Sequence, residues 1–303
     1  MKYLSILVVA ILTSACCGAK NTVESQPEQA MEVIVVKEVP NSGENVVEIE
    51  NLREEEVEEI ENTQVEIKTN YEAEDLSIHQ EVSKRFLTEH QLWDELLEKH
   101  VSDDGKINYS GFKKDHKDLL GYIRILQITY EKRNLVEERP QNELLAYWIN
   151  AYNALTVDLI LRNYPTESIK DIKDPWDQRL WQFGDKWYNL NDIEHEMLRK
   201  MDEPRIHFAI VCASVSCPKL QNEAFTASKL EEQLTNATNE FLADTSKNEI
   251  SKDEIKLSKI FKWFKKDFEQ NGSLIDFLNQ YTTVTISESA KKSYKDYNWD
   301  LND

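Results

Sequence analysis

Four stretches of this 303-residue chain carry side chains able to do chemistry. The densest is Arg205 to Pro218, reading Arg-Ile-His-Phe-Ala-Ile-Val-Cys-Ala-Ser-Val-Ser-Cys-Pro. A thiolate near an imidazole is the usual pair for acyl transfer, because the imidazole holds the thiol deprotonated and later donates the proton. Under a thiol-enzyme alternative to a binding module, Cys217 would be the nucleophile on an amide or thioester carbonyl and His207 the base and acid, with Cys212 as the other available thiol. Ser214 or backbone amides of the Ser-rich loop would steady the oxyanion. The apolar run Ile206 to Cys212, bounded by Pro204 and that loop, predicts a strand. On it His207 shares a face with Ala209 and Val211 while Cys212 points the other way, so Cys217 must fold back across the loop. Two alternatives stand beside the thiol enzyme. One is a Cys212–Cys217 disulfide, permitted outside the cytosol. The other is a pair of buried, inert thiols beside a core imidazole.

In Trp148 to Leu155, Asn150 and Asn153 are three apart and share one face of an otherwise apolar helix. An unpaired buried amide costs roughly 1 to 3 kcal/mol, so each must tie the helix to a neighbouring loop or contact a substrate. In Asp192 to Arg199, His195 and Arg199 lie four apart on one helix face. This is not His-Glu-x-x-His, so a zincin is unsupported. Zinc held by His195, His207, Cys212 and Cys217 fits no familiar ligand spacing, and neither a metal nor a cofactor is expected. The leading reading, a ligand-binding or structural module of the cell envelope to which the thiol enzyme is the alternative, assigns Asn150, Asn153, His195, Arg199, Arg205, Cys212 and Ser214, with His207, to a small-molecule or peptide ligand or to bracing the core. The fourth stretch, Ser258 to Phe268, interleaves Lys with aromatics. That pattern suits a nucleic-acid or membrane face, but in an acidic chain it reads as a core helix burying Phe261, Phe264 and Phe268 and solvating Lys262, Lys265 and Lys266.

These residues need elements to position them. The periodicity predicts a first helix from Phe86 to His100, a second over Phe112 to Tyr130 and a long third over Asn142 to Tyr164 ended by Pro165. Gly184-Asp185 predicts a hairpin between Trp181–Phe183 and Trp187-Tyr188. Asn191 or Asp192 would cap a helix running to Met201. Helices are also expected over Lys229 to Leu242 and Leu274 to Tyr281, with a hairpin in Ile250 to Leu257 and an extended Thr283 to Ile286. The order gives an α+β fold, a mostly helical single domain on a small, largely antiparallel sheet, without βαβ alternation.

Charge is distributed unevenly. Lys plus Arg number 36 against 56 Asp plus Glu, a net charge of −20, which argues against a nucleic-acid partner because phosphate neutralisation needs surplus cations. Glu24 to Asp75 alone holds 17 acidic residues against three basic ones. With Tyr71 its only aromatic it buries too little to offset ordering, and it reads as a tether. Leu76 to Asp303 carries a net charge of only −8. Ahead of the tether, Lys2, the apolar run Leu4 to Leu12 and Thr13-Ser14-Ala15 make a signal peptide over residues 1–15, too short to span a bilayer as a mature helix. Small residues followed by Cys16 resemble the lipobox of bacterial lipoproteins, with Thr13 where Leu is usual. The expectation is an exported protein, lipidated at Cys16 and held on a membrane of the cell envelope, in the periplasm or at the cell surface, with residues 16–75 as tether and 76–303 as the globular domain. An ordinary signal peptide, or Cys17 as the modified residue, is the alternative.

Taken in order, Trp148 to Leu155, Leu190 to His195, Leu198-Arg199, Arg205 to Ala209, Cys212 to Ser214, Ser216 to Pro218 and Ser258 to Trp263 resemble the DUF547 family, over roughly Trp93 to Trp299. That family is named for its unknown function, so the resemblance implies an identity without a chemistry. It also implies a distant likeness to papain-like or transglutaminase-like folds, which would set Cys at a helix N-terminus and His on a strand.

Overall fold

The structure is a computed structural model that describes residues 89–132 and 139–303. The expected signal peptide, Cys16, the acidic tether and the start of the first expected helix lie outside the described residues.

The described chain is mostly helical α+β. Helices α1 (Gln91–His100), α2 (Tyr109–Lys114) and α3 (His116–Lys132) surround α4 (Gln141–Asn163). Helix α4 is apolar all round, with mean hydropathy 1.3 and 94% of its apolar window buried, as a central core helix must be. Its one buried carboxylate, Asp158, is held by His116 Nε2 at 2.8 Å, Arg162 Nε at 2.7 Å and Trp181 Nε1 at 2.7 Å, so the charge is fully partnered. Strands β1 (Trp181–Phe183) and β2 (Lys186–Tyr188) form the expected hairpin, with Gly184 at φ +58° in its turn. Further on come α5 (Leu230–Ala243), β3 (Glu249–Ile250), β4 (Glu254–Leu257), the single turns α6 (Ile260–Trp263) and α7 (Lys265–Phe268), α8 (Leu274–Tyr281) and β5 (Lys291–Tyr294). The sheet is two small sheets: the hairpin, and a three-stranded one in which β3 pairs antiparallel and β5 parallel with β4.

Several local expectations are corrected. The second helix breaks at Asp115, whose carboxylate meets Lys99 Nζ and His100 Nε2, each at 2.6 Å, while Asn108 caps α2. Ile206 to Cys212 is not a strand. Pro204–Phe208 is a 3-10 turn, with Pro at its start and Glu203 capping through Arg205 N–H at 3.1 Å. The polar groups a strand partner would have taken go instead to Asn153, whose Nδ2 donates to Ala209 O at 2.9 Å and whose Oδ1 accepts from Val211 N–H at 3.0 Å. The helix expected up to Met201 is a π-helical turn, Asp192–Met197, followed by the 3-10 turn Leu198–Met201. The expected Ser258 to Phe268 helix is split at Phe264, which is half-buried. Strand β5, Lys-Lys-Ser-Tyr, carries no alternating apolar signal and was not expected.

Two apolar cores result. One packs around α4. The other gathers Phe208, Phe241, Phe261, Phe268 and Phe277 between α5, β4, α6, α7 and α8. The segment Ile206 to Val211 serves both, since Phe208 enters the second core while Ile206, Ala209 and Val211 enter the first. Residues 297–302 are stitched across the first core. Ser168 Oγ donates to Trp299 O at 2.7 Å, Val215 N–H to Asp300 O at 2.9 Å, and Ile107 N–H to Asn302 O at 3.0 Å.

Candidate active site

A cleft of about 210 Å³ opens where the two cores meet. From the first core come Tyr152, Ile210, Val211, Cys212 and Cys217, and from the second Ile260, Phe264 and Tyr297. His207, His195 and Glu194 also line it, with Trp176, Trp263 and Trp299.

The loop after the 3-10 turn presents the thiols. Asn153 fixes Val211, and Ala213 takes φ +53°, the left-handed region that favours glycine, so the chain reverses within one buried residue. Cys212 is half-buried on the cleft wall, whereas Cys217 is only 4% exposed. Cys212 N–H donates to Cys217 Sγ at 2.8 Å, and both thiols are free. Cys212 Sγ sits 3.2 Å from Ser214 Oγ and 3.2 Å from Tyr297 Oη. Its hydrogen bond with Cys217, then those from Ser214 and Tyr297, hold the Cys212 thiol below the ordinary thiol value. Burial pushes Cys217 well above it. Of the two thiols, Cys212 is therefore the more exposed and the more readily ionised. The amides of Val215, Ser216 and Cys217 bond to Asp300 O, Asn298 O and Ser214 O, so they are not free for an oxyanion. The hydroxyls of Ser214 and Tyr297 are the donors nearest the sulfur.

His207 is buried at 2% exposure, on a turn rather than a strand. Its Nε2 meets Asp267 Oδ2 at 2.8 Å and its ring stacks on Phe264 at 3.9 Å. The same carboxylate takes a two-pronged bond from Arg199, Nε at 2.6 Å and Nη2 at 2.7 Å, and Arg199 Nη1 reaches His195 Nδ1 at 3.0 Å. Burial opposes ionisation of Asp267, but hydrogen bonds and charge from Arg199 and His207 overcome it and hold the carboxyl well below its usual range. Burial lowers His207 and His195, favouring the neutral rings; Arg199 takes the Nδ1 lone pair of His195, so His207, with Nε2 on Asp267, is the imidazole able to accept a proton.

Glu194 lies on the π turn, where Leu198 N–H bonds to both Ile193 O and Glu194 O. Tyr152 Oη donates to its Oε2 at 3.2 Å. Burial raises the carboxyl to about 7, against the pull of that bond and of Arg199.

His195, Arg199, His207, Cys212, Ser214 and Cys217 are thus gathered at or beside one cleft. Asn150 and Asn153 are not at its surface. Asn150 clamps Phe225 as Asn153 clamps the 209–211 backbone, with Nδ2 to Phe225 O at 2.7 Å and Phe225 N–H to Oδ1 at 3.0 Å. Arg205 lies elsewhere, forked between Glu203 and Glu231. Among the described residues no His, Cys, Asp and Glu cluster is placed to hold a metal ion. Sequence reasoning missed Asp267, Tyr297 and the Trp wall. Asp267 stood among lysines and phenylalanines, and its only signal was a carboxylate at a position the helical pattern buries. Residues 136–242 match the DUF547 family, described as a protein of unknown function; Asp267, Trp263, Tyr297 and Trp299 lie outside the match. No curated protein and no solved structure matches the chain.

Proposed function

We propose that the cleft is the active site of a thiol-dependent enzyme of acyl transfer or amide hydrolysis, with Cys212 as its nucleophile. The observation that carries this is a half-exposed, hydroxyl-supported thiol on the same cleft as an imidazole anchored through Nε2 to a buried, ionised carboxylate. Asp267 fixes the tautomer and orientation of His207 and favours the imidazolium once formed. His207 Nδ1 takes the Cys212 proton as sulfur attacks a carbonyl carbon, then returns it to the leaving amine or alkoxide. The Tyr297 hydroxyl, on the cleft wall beside the sulfur and backed by Ser214, donates to the developing oxyanion. Water or an amine then attacks the thioester, the C–S bond breaks, and the thiol is regenerated.

The test is turnover of activated acyl esters by the full chain. Cys212→Ala should lose the burst and nearly all turnover, and His207→Ala should lose about 100-fold or more. Cys212→Ala with undiminished turnover would overturn the assignment.

A ligand-binding envelope module is the second reading, favoured by the aromatic wall, in which Trp263 is 46% exposed. It expects ligand retention without turnover. Either activity would be delivered to the cell envelope by export and lipidation, a reading supported by Lys2, the apolar Leu4 to Leu12 and Ala15-Cys16. Palmitate labelling lost in Cys16→Ser supports the anchor; unchanged labelling removes it.

A further inference from the structure

The active-site assignment leaves one side of the cleft without a role. Glu194 is 7% exposed and lines the cleft, yet only Tyr152 bonds to it, through Oε2; its Oε1 has no partner among the described residues. The nearest cation is committed elsewhere, because Arg199 spends Nε and Nη2 on Asp267 and Nη1 on His195. A buried carboxyl without a cationic partner is an expensive group to keep unless something arrives to pair with it.

The aromatic wall lines the same space. Trp263, Tyr297 and Trp299 lie with ring centroids 4.6 to 5.7 Å apart, and Trp176 meets Trp299 edge-on at 5.8 Å. Ring faces attract cations. Two rings of this cleft already do so within the protein: Lys170 Nζ lies 4.9 Å from the Trp299 centroid, and the Arg199 guanidinium 5.3 Å from that of Phe264. A purely apolar guest would suit the rings but seal Glu194 beneath it unpaired. A neutral polar guest would supply a hydrogen bond but no charge. A guest with a positive nitrogen satisfies both walls.

We propose that the cleft binds the ammonium group of a cationic ligand, a primary amine or a quaternary ammonium, between the Glu194 carboxylate and the exposed ring of Trp263. This rests on reading the cleft as the active site, and makes the ammonium the feature by which a substrate is chosen. The other ionisable groups facing Glu194 are Tyr152 from α4, His195 and Arg199 from its own turn and the next, Asp267 from α7, and Cys212 from the thiol loop. Arg199 and Asp267 neutralise one another, and Tyr152 stays protonated because burial raises it. Empty, Glu194 titrates near 7; a bound cation draws it into the ionised form, so binding releases a proton and strengthens as pH rises from 6 to 8.

The experiment uses the full chain carrying Cys212→Ala, which removes the candidate nucleophile and reads binding apart from turnover. Choline, n-butylamine and the neutral choline isostere 3,3-dimethylbutan-1-ol are titrated against tryptophan fluorescence at pH 6, 7 and 8. At least one of the two cations should bind about tenfold tighter than the isostere at pH 8. Its affinity should rise about tenfold from pH 6 to 8, following the ionised fraction of Glu194. Whichever cation binds assigns the source of the ammonium. Adding Glu194→Gln should abolish both the preference for charge and the pH dependence while far-UV circular dichroism is unchanged, and Trp263→Ala should weaken the cation about tenfold. Equal binding of cation and isostere, no binding of either cation, or a charge preference that survives Glu194→Gln overturns the proposal. Because turnover is not read, these outcomes are independent of whether Cys212 is the nucleophile.

Discussion

His207 and Asp267, sixty residues apart in the chain, meet at 2.8 Å between Nε2 and Oδ2, and the same carboxylate holds Arg199 at 2.6 Å. One oxygen thus organises an imidazole from the segment between the cores and a guanidinium from the turn after Glu194. Asp267 is itself on a four-residue turn, Lys265–Phe268, so its position depends on the burial of Phe268 beside it.

Replacing it should therefore be costly. Asp267→Asn leaves the half-buried Arg199 guanidinium and the buried His207 ring without their charged partner, which typically costs about 1.5 to 3 kcal/mol. Since the carboxyl is held below its ordinary value, its contribution is complete above about pH 4 and is lost as pH falls towards the folded-state value. Urea melts across pH should show a constant gap between wild type and variant from pH 5 to 8, closing in acid. A gap that widens in acid contradicts the ion-pair account.

Glu194 has the opposite sign. Its folded-state value is raised to about 7, so the native state holds a proton that the unfolded chain has released between about pH 4.5 and 7. Its contribution falls as pH rises through that window and is flat above it. Glu194→Gln removes the dependence and should be more stable than wild type at pH 8, relative to pH 5, by up to about 3 kcal/mol. Differential melts at the two pH values measure this.

The two thiols should part company under alkylation. Iodoacetamide at pH 7 should modify Cys212 at least about tenfold faster than Cys217, which becomes reactive only on unfolding. Peptide mass spectrometry over a time course reads both rates. Equal rates, or a Cys212–Cys217 disulfide in the isolated protein, would remove the basis for a low-value Cys212 thiol.

The paired amides of α4 offer a control for that measurement. Asn150→Ala and Asn153→Ala each strand one buried N–H and one buried C=O, and should each cost roughly 2 to 4 kcal/mol. Only Asn153 holds the residue before Cys212. Alkylation of Cys212 at a pH and temperature where both variants are folded should change in Asn153→Ala and stay near wild type in Asn150→Ala.

Long-period features were legible in the sequence. Helix α4 and α8 fall within a residue or two of their expected limits, because an apolar face sustained over several turns leaves few alternatives. His195 and Arg199, placed on one face by spacing alone, do touch. Illegible was whatever depended on a side chain replacing a backbone partner. Ile206 to Cys212 has the composition of a strand, but Asn153 occupies the groups a strand would have paired, and no local pattern announces that. The same amide device recurs at Asn248, between Phe241 O and Ser258 N–H, and at Asn279, which clamps Ile286. Tyr297 and Trp299 come to the cleft on a tail with no periodicity, held by bonds to Ser168, Val215 and Ser216 that are distant in sequence.

The π turn of Asp192–Met197 carries a constraint of a different kind from any side chain. A π turn accommodates one residue more than an α turn, and each residue of an α-helix advances the chain by about 100°. Deleting Glu196 or Met197, which lie between Glu194 and His195 on one side and Arg199 on the other, would restore regular helical bonding and improve the local backbone. It would also swing Glu194 and His195 about a quarter-turn relative to Arg199, parting the carboxyl from the cleft and the imidazole from its guanidinium. At Glu196 and Met197 residue number is therefore fixed more strictly than residue identity: a population of functional variants would accept exchanges there but almost no gaps.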